Sequence, residues 1–428
     1  MDVFTFRDRV VEDYGQFSRS FTQIQADDIR DFVDGKYNDG EYWPSPLIQL
    51  NPSFISGGAV SDLVDAGLLE PECSQIFRWG KEDGATGQEL VLHQHQRDAI
   101  EIANQDGSYV ITSGTGSGKS LGYIIPIVNH VLRERAAGDK SKRIRAIVVY
   151  PMNALCNSQR EELQKYLCLG YPEGQPPVTF ARYTGQESEE ERDQIQNNPP
   201  DILLTNYVML EYLLTRQDPR DQKIIRDAKG LEFLVLDELH TYRGRQGADV
   251  ALLVRRLKQR LNKQLLCIGT SATMASEGDA SERDATVARV ASKLFGTKVP
   301  PEHVVTESLQ RVTEGDLPSA ADLTQALQAD YSTAATENWT AADLQNHPLA
   351  RWVELRLGLQ REDNNPSGKW VRCTPRTLQQ ASSELHDETG LVSEEITQTL
   401  RDFLLAAYRV EVGANRRFFA FRLHQFVS

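Results

Sequence analysis

Positive charge is scarce in this sequence. Lys and Arg number 47 against 61 Asp and Glu in 428 residues, so the net charge is 47 − 61 = −14. A chain this acidic is not a general polyanion binder, so any nucleic-acid contact must come from local basic or neutral surfaces. Hydrophobic residues make up 40% and charged residues 25%, which excludes wholesale disorder and, at this length, predicts two or three domains.

Cysteine and long apolar runs are also scarce. The five cysteines are odd in number and none has Cys-x-x-Cys spacing, so we expect a reducing compartment without disulfides and no zinc site. No apolar run approaches the roughly 18–20 residues that cross a bilayer. Residues 1–8 lack the basic stretch and apolar stretch of a signal peptide. These absences predict a cytoplasmic protein without a membrane partner.

Three zones of the chain differ in pattern. Residues 1–89 and 301–428 show mainly helical patterns, and we expect them to be accessory regions. In residues 90–300, short β-rich runs alternate with amphipathic stretches. The runs are 109–112, 146–150, 178–183, 202–205, 233–236 and 265–269. Apolar strands alternating with helices predict an α/β fold built on a doubly wound parallel sheet.

A glycine-rich segment follows the first of these runs and precedes a helical pattern. Glycines let backbone N–H groups turn toward phosphate oxygens, and a helix N-terminus adds partial positive charge. Lys119 would neutralise the β- and γ-phosphates of ATP, and the Ser120 hydroxyl would reach Mg²⁺. A chance glycine turn is disfavoured by the strand before and the helix after. The predicted phosphate-binding residues are Ser113, Gly114, Thr115, Gly116, Ser117, Gly118, Lys119 and Ser120.

An acidic motif follows the run 233–236. The carboxyl end of a strand is where a doubly wound sheet places its ligand. We expect Asp237 to hold Mg²⁺ through water, Glu238 to polarise the attacking water and His240 to sense the γ-phosphate. The alternative, an acidic strand end that caps a helix, is weak beside the phosphate loop upstream.

Two further segments complete the expected nucleotide site. Ser271, Ala272 and Thr273 follow the run 265–269, where small hydroxyl residues can bond the acidic motif and couple hydrolysis to domain movement. Gln96 precedes the first run, and its amide carries the donor and acceptor that read an adenine edge. A solvated polar helix start is the alternative for Gln96.

Three loops after strands are expected to form a nucleic-acid track. Such loops expose backbone N–H groups, short hydroxyls and amides, which bond phosphates without reading bases. Contacts of this kind need no strongly basic surface. Ordinary turns are the alternative, and Asn153 and Asn206 can simply cap helices. The predicted contacts are Pro151, Asn153, Thr184, Gly185, Thr205 and Asn206.

The order of these motifs resembles the first motor domain of superfamily-2 DExH helicases. The segments are Gln96, SGTGSGKS, YPMNAL, YTGQ, LLTNY, DELH and TSAT, over roughly residues 90–300. The resemblance implies a RecA-like P-loop fold and ATP hydrolysis coupled to movement on DNA. A narrower resemblance is to the large bacterial helicases with a C-terminal domain of unknown function. It rests on the segments DELHTYRGRQGADVALLVRRL and FAFRLHQF. That group includes helicases of mitomycin-type DNA repair and of the DISARM anti-phage system. GTSATMAS followed by VASKLFG favours phage defence.

One departure from the family bears on activity. A helicase needs a second RecA-like domain whose Q-x-x-G-R-x-x-R-type segment supplies arginine fingers, and nothing after Thr273 has that form. We therefore expect a fragment, a split subunit or a truncated product that turns over very slowly without a second motor domain. Its expected partners are DNA, a chain that supplies the second motor domain, and other defence-system subunits. Two alternatives stay open: an RNA helicase, and a nucleotide-gated docking module.

Overall fold

Two compact units make up the chain in the computed structural model. One is Phe54–Ser308, and the other combines Met1–Ser53 with Leu309–Ser428. The division differs from the predicted one, because residues 54–89 belong to the α/β unit and the two ends of the chain share a unit. The residues described are 2–21, 24–38, 43–81, 85–114, 116–172, 175–272, 280–362, 368–412 and 417–426.

A seven-stranded parallel sheet lies at the centre of Phe54–Ser308. Its strands, labelled in chain order, are β1 Tyr109–Thr112, β2 Ala146–Tyr150, β3 Phe180–Arg182, β4 Ile202–Asn206, β5 Phe233–Leu236, β6 Leu266–Ser271 and β7 Val304–Thr306. Their spatial order is β7-β1-β6-β5-β2-β4-β3, and every neighbouring pair is parallel. The sheet confirms the predicted α/β fold, and β7 adds a strand that the sequence patterns did not predict.

Helices follow most of these strands. In chain order they are α1 Gln94–Ala103, α2 Leu121–Ala136, α3 Asn153–Leu167, α4 Glu189–Asn197, α5 Tyr207–Thr215, α6 Pro219–Asp227, α7 Gly244–Arg260 and α8 Ala280–Phe295. Shorter helical elements are Val60–Asp65, Cys73–Ile76, Leu239–Thr241 and Pro301–His303. Two small antiparallel pairs precede the sheet: Ser56–Ala59 with Val91–His93, and Arg78–Trp79 with Gln88–Glu89.

Both faces of the sheet are buried. Within β2, Ile147 and Val149 belong to one apolar core, and Val148 and Tyr150 belong to the other. The first core also contains residues of α5, α6, α7 and α8, whereas the second contains residues of α1, α2 and α3. Covering both faces explains why the strands read as continuous apolar runs. The loops that follow the carboxyl ends of the strands carry the polar residues of the predicted site.

The second unit is built around its own apolar core, which includes the fully buried Trp352. Its helices are Val3–Ser20, Asp27–Asn38, Ala320–Leu327, Ala341–Gln345, Pro348–Val353, Leu378–Thr389 and Ser393–Arg409, with a π-helical turn at Glu354–Gly358. Its short strands include Leu309–Gln310 and the antiparallel pair Leu359–Arg361 with Trp370–Arg372. A three-stranded antiparallel sheet places Leu47–Asn51 between Arg376–Thr377 and Ala420–His424.

Two expectations from composition concern membrane spans and disulfides. None of the helices within the described ranges is both long enough and apolar enough to span a membrane. The five cysteines all lie in described segments, and each is a free thiol.

Candidate functional site

The glycine-rich loop connects the carboxyl end of β1 to the start of α2. Gly116 and Gly118 have φ angles of +80° and +73°, a left-handed conformation that other residues rarely adopt. Thr115 lies outside the described residues. The strand, loop and helix thus have the arrangement that presents backbone N–H groups to phosphate oxygens.

Hydrogen bonds within the loop hold its two ends together. The hydroxyl oxygens of Ser113 and Ser117 are 2.6 Å apart, and both residues are buried. The Lys119 ammonium donates to the Ser113 carbonyl oxygen at 2.9 Å. A nucleotide phosphate would compete with this carbonyl for the ammonium. The Lys119 ammonium therefore already lies against the loop that is predicted to bind the phosphates.

Two residues in the first turn of α1, His95 and Gln96, form hydrogen bonds to the phosphate loop. The Gln96 amide nitrogen donates to the Gly118 carbonyl at 2.9 Å, and its amide oxygen accepts from the His93 backbone N–H at 2.8 Å. His95 Nε2 lies 3.0 Å from the Ser117 carbonyl oxygen. The structure therefore assigns Gln96 a contact with the loop that the sequence did not suggest. Its role in reading adenine stays a prediction.

His95 contacts the phosphate loop, and the sequence analysis did not predict this contact. The ring is fully buried, and burial lowers its pKa, although the hydrogen bond to the Ser117 carbonyl opposes the shift. The neutral ring with hydrogen on Nε2 satisfies this contact. The only signal in the sequence was its position next to Gln96.

The acidic motif begins directly after β5. The Asp237 carboxylate accepts a hydrogen bond from the Thr270 hydroxyl, and the same hydroxyl oxygen accepts from the Glu238 N–H at 3.1 Å. Thr270 lies in β6, the strand next to β5. One buried hydroxyl therefore holds both acidic residues, and this role falls to Thr270, which immediately precedes the predicted coupling residues.

Burial raises the pKa of Asp237, and the nearby Glu238 charge raises it further. The Thr270 hydrogen bond and the positive charge of Lys119 act in the opposite direction. A divalent cation would favour the ionised carboxylate strongly. The Asp237 carboxylate and the Ser120 hydroxyl are both hard oxygen donors, so the residues present fit Mg²⁺.

Glu238 and His240 form the next part of the motif. Glu238 has a φ angle of +53°, which is strained for a residue with a side chain. Its Oε2 lies 3.2 Å from His240 Nδ1, and the same nitrogen lies 3.2 Å from the Ser271 hydroxyl. His240 thus bridges the acidic motif and the end of β6. Of the predicted coupling residues, Ser271 makes this contact, Ala272 follows it, and Thr273 lies outside the described residues.

A carboxylate that the sequence did not predict reaches the phosphate loop. Glu307 follows β7, and its Oε2 accepts from the Gly114 N–H at 3.4 Å. The sequence patterns assigned this region to a helical accessory zone. Because β7 pairs with β1, the residue after β7 lies beside the loop that follows β1.

The three predicted nucleic-acid loops converge on one groove of about 530 Å³. Asn206 links them, because its amide nitrogen donates to Asn153 Oδ1 at 2.7 Å and to the Thr184 carbonyl at 3.4 Å. Its amide oxygen caps α5 by accepting from the Met209 N–H at 2.7 Å. The capping alternative is thus confirmed for Asn206. The predicted residues that line the groove are Pro151, Asn153, Thr184, Gly185 and Asn206.

Thr205 is the exception among the predicted contacts. It is fully buried, and its hydroxyl donates to the Tyr183 carbonyl at 2.6 Å. It is the last buried residue of β4, one position before Asn206, and its side chain faces the protein interior. Thr205 therefore positions the neighbouring loop, and the expectation that its side chain meets a phosphate is wrong.

Comparison with known proteins adds a family match to this geometry. Residues 93–280 match the DEAD/DEAH box helicase family. The chain is 27% identical to the Druantia protein DruE of Escherichia coli (strain UMEA 4076-1), over 72% of this chain and 23% of DruE. It is 30% identical to the ATP-dependent helicase YprA of Bacillus subtilis (strain 168), over 45% of this chain and 24% of YprA. The chain thus spans about a quarter of the length of these curated relatives.

Solved structures with similar folds include the DUF1998 helicase MrfA bound to DNA, with a TM-score of 0.43 and 21% identity over 67% of this chain and 34% of that chain. The helicase Lhr of Mycobacterium smegmatis bound to ssDNA and AMP-PNP has a TM-score of 0.40 and 23% identity, over 53% of this chain and 28% of that chain. The fold assignment itself comes from the strand order and the parallel pairing.

Proposed function

We propose that the chain, whose residues 93–280 match the DEAD/DEAH box helicase family, is the ATP-binding motor half of a DNA helicase or translocase. The observation that carries the proposal is the meeting of two motifs at one edge of the sheet. The loop of Lys119 follows β1 and Asp237 follows β5, and β6 pairs in parallel with both strands, so the two motifs lie at the carboxyl ends of neighbouring strands. This pair is what a phosphate–metal site requires.

Each residue of the site has a proposed role. The glycine-rich loop and Lys119 bind the phosphates, while Ser120 and Asp237 would hold Mg²⁺, whose charge offsets that of the phosphates. Glu238 orients and polarises the attacking water. His240 transmits the state of the site to Ser271 through the 3.2 Å contact. Binding of ATP and positioning of water are therefore both provided by this chain.

Stabilisation of the transferring phosphoryl group is the step that this site does not complete in our proposal. The resemblance to helicases implies arginine fingers from a second motor domain. In related nucleotide hydrolases such a finger contributes about 10³–10⁵ in rate. We therefore propose that turnover is slow in this chain alone and fast with a second motor domain. Participation in phage defence or DNA repair, a cytoplasmic location and further defence subunits belong to the same proposal.

The test is phosphate release by the purified chain, alone and with a helicase chain that carries a second motor domain. Single-stranded DNA, RNA of the same sequence and no nucleic acid are compared. We expect stimulation by DNA that requires the second motor domain and that is lost in Lys119→Ala, because the variant lacks the loop's cation. Stimulation by RNA alone would establish the RNA-helicase alternative. Unchanged ATP affinity of Lys119→Ala in calorimetry would refute the site.

A further inference from the structure

At one of the three loops of the groove, the donors expected to bind phosphate are already engaged. The Glu187 carboxylate accepts from the Thr184 N–H at 2.8 Å, the Thr184 hydroxyl at 2.9 Å and the Gly185 N–H at 2.8 Å. Arg182 also donates to it at 2.9 Å. Glu187 is buried, so solvent does not loosen these bonds. The donors expected to bind phosphate at this loop are therefore occupied by a carboxylate of the same loop.

Other groups of the groove remain available for a ligand. Arg192 lines the groove, and one of its terminal guanidinium N–H groups donates to the Gly185 carbonyl at 3.1 Å, while its Nε is buried. The other available groups are an aromatic ring and a second guanidinium at the end of α5. Three arginines, Arg192, Arg216 and Arg220, line the groove, so it offers guanidinium groups and an aromatic ring where a purely backbone-binding track would offer amides.

The planar surface is a stacked pair. Arg216 Cζ lies 3.6 Å above the centroid of the Tyr212 ring. The two residues are one helical turn apart, and both line the groove. Tyr212 is 40% exposed, and within the described part of the chain Arg216 forms no ion pair. A flat, partly exposed aromatic and guanidinium surface is the kind on which nucleobases stack.

Two acidic residues also line the groove, and each accepts a hydrogen bond from a neighbouring residue. Asp221 is buried and accepts from the Tyr183 hydroxyl at 2.9 Å. Asp218 caps α6 by accepting from the Arg220 N–H at 2.7 Å. Both carboxylates thus have structural hydrogen bonds of their own.

We infer that Tyr212 and Arg216 form a base-stacking platform for single-stranded DNA, with Arg192 binding an adjacent phosphate. This inference rests on the proposed function and deepens it, because it replaces a track that touches the backbone alone by one that also requires unpaired bases. Stacking is sequence-tolerant, since every base has a π-face. In a duplex those faces are covered by neighbouring base pairs, so the platform selects single strands.

The experiment compares two probes that carry the same backbone charge. Fluorescence anisotropy is measured with an oligothymidylate of about 12 nucleotides, within the usual site sizes of roughly 4–16. The second probe is an abasic strand of equal length. For the unaltered chain we expect the abasic strand to bind roughly 5- to 150-fold more weakly, the factor that corresponds to one base–aromatic stack in alanine substitutions.

Variants of Tyr212 test whether this ring causes the difference in affinity between the two probes. Tyr212→Ala should lose a similar factor on oligothymidylate and little on the abasic strand, whereas Tyr212→Phe keeps the ring and should bind like the unaltered chain. Leu252→Ala, which truncates another exposed side chain (53% exposed) on α7, is the matched control and should change neither affinity. Thermal melting verifies that all variants are folded.

Three outcomes separate the possibilities. If Tyr212→Ala binds both probes as the unaltered chain does, or loses equally on both, the platform is refuted while DNA binding stands. If the unaltered chain binds neither probe and DNA does not stimulate ATP hydrolysis, the proposed function itself fails, and the inference with it. The expected pattern, a loss confined to the strand with bases, is one that neither charge nor a folding defect produces.

Discussion

Replacing Thr270 tests the acidic site most sharply. Its hydroxyl donates to Asp237 and accepts from the Glu238 N–H at 3.1 Å, and its side chain is fully buried. Thr270→Val keeps the shape of the side chain and removes both hydrogen bonds. Thr270→Ser keeps the hydroxyl and removes only a methyl group, so it is the matched control.

The stability change follows from the groups left without partners. An unpaired buried donor or acceptor costs about 1–3 kcal/mol. For a unit of this size, each kcal/mol lowers the melting temperature by about 2–4 °C, so Thr270→Val should melt roughly 2–12 °C lower. Thr270→Ser loses one buried carbon, which costs about 0.8 kcal/mol.

The effect on Mg²⁺ is more specific than the effect on stability. Burial and the charge of Glu238 raise the pKa of Asp237, and the Thr270 hydrogen bond opposes them. Without that bond the pKa rises further, and the proton competes more strongly with Mg²⁺. Thr270→Val should therefore need more Mg²⁺ for nucleotide binding, and the difference from the unaltered chain should grow as pH falls.

The assay is the fluorescence of a labelled ATP analogue titrated with Mg²⁺ at acidic and at neutral pH. Thr270→Ser should follow the unaltered chain, while Thr270→Val should be shifted to higher Mg²⁺ concentration, most of all at acidic pH. If the valine and serine variants have the same Mg²⁺ dependence at both pH values, the hydroxyl does not hold Asp237 in the way described.

Three further predictions concern other residues of the motor unit. Gly118→Ala should weaken nucleotide binding in calorimetry, because φ is +73° and the added Cβ would lie 2.5 Å from Gln96 Nε2, whereas Gly138→Ala has similar strain (φ +99°) with no atom within 4 Å and should bind normally; equal affinities would contradict the account. Burial lowers the pKa of His95 from 6.5, so the unfolded chain binds more protons at acidic pH and stability should decrease as pH falls below about 6.5. His95→Gln should flatten that decrease in thermal melts, and parallel pH profiles would count against the buried neutral ring. Arg145→Met should lower the free energy of unfolding in urea by about 3–5 kcal/mol, because the buried guanidinium pairs with Glu134, Asp139 and Asp201, while Lys165→Met, at an exposed pair with Glu162, should cost at most about 1 kcal/mol; similar losses would show that burial does not matter here.

The sequence predicted the parallel sheet well because its signals are local. Strands β1, β2 and β5 begin and end where the apolar runs do, since both faces of each strand are buried and the runs are continuous. The strand β7 was not predicted, because its pairing with β1 is a long-range contact that no local pattern encodes. The contact of Glu307, which follows β7, with the phosphate loop was not predicted for the same reason.

The organisation of the chain ends was not predictable for the same reason. Leu47–Asn51 pairs with Ala420–His424, which lie far away in the sequence. Ala420–His424 is the edge strand of its sheet, and Phe418 and Phe419, which precede it, are buried.

Within the candidate site, residue types were predictable but hydrogen-bond partners were not. Spacing along the chain indicated that the loops at Asn153, Thr184 and Asn206 meet at one edge of the sheet. It did not indicate that Glu187 folds back onto Thr184, because a carboxylate three residues away can equally face solvent. Nor did it distinguish Thr270, whose hydroxyl bonds the acidic motif, from the hydroxyl residues that follow it.

The central claim is that this chain binds ATP with one set of residues and prepares its cleavage with another. The most direct test is phosphate release from bound ATP by Glu238→Gln, measured with single-stranded DNA and a chain that carries a second motor domain. The account predicts ATP affinity equal to that of the unaltered chain and release slower by about 10²–10⁴, the usual contribution of a positioned base. Release at the unaltered rate would contradict the account.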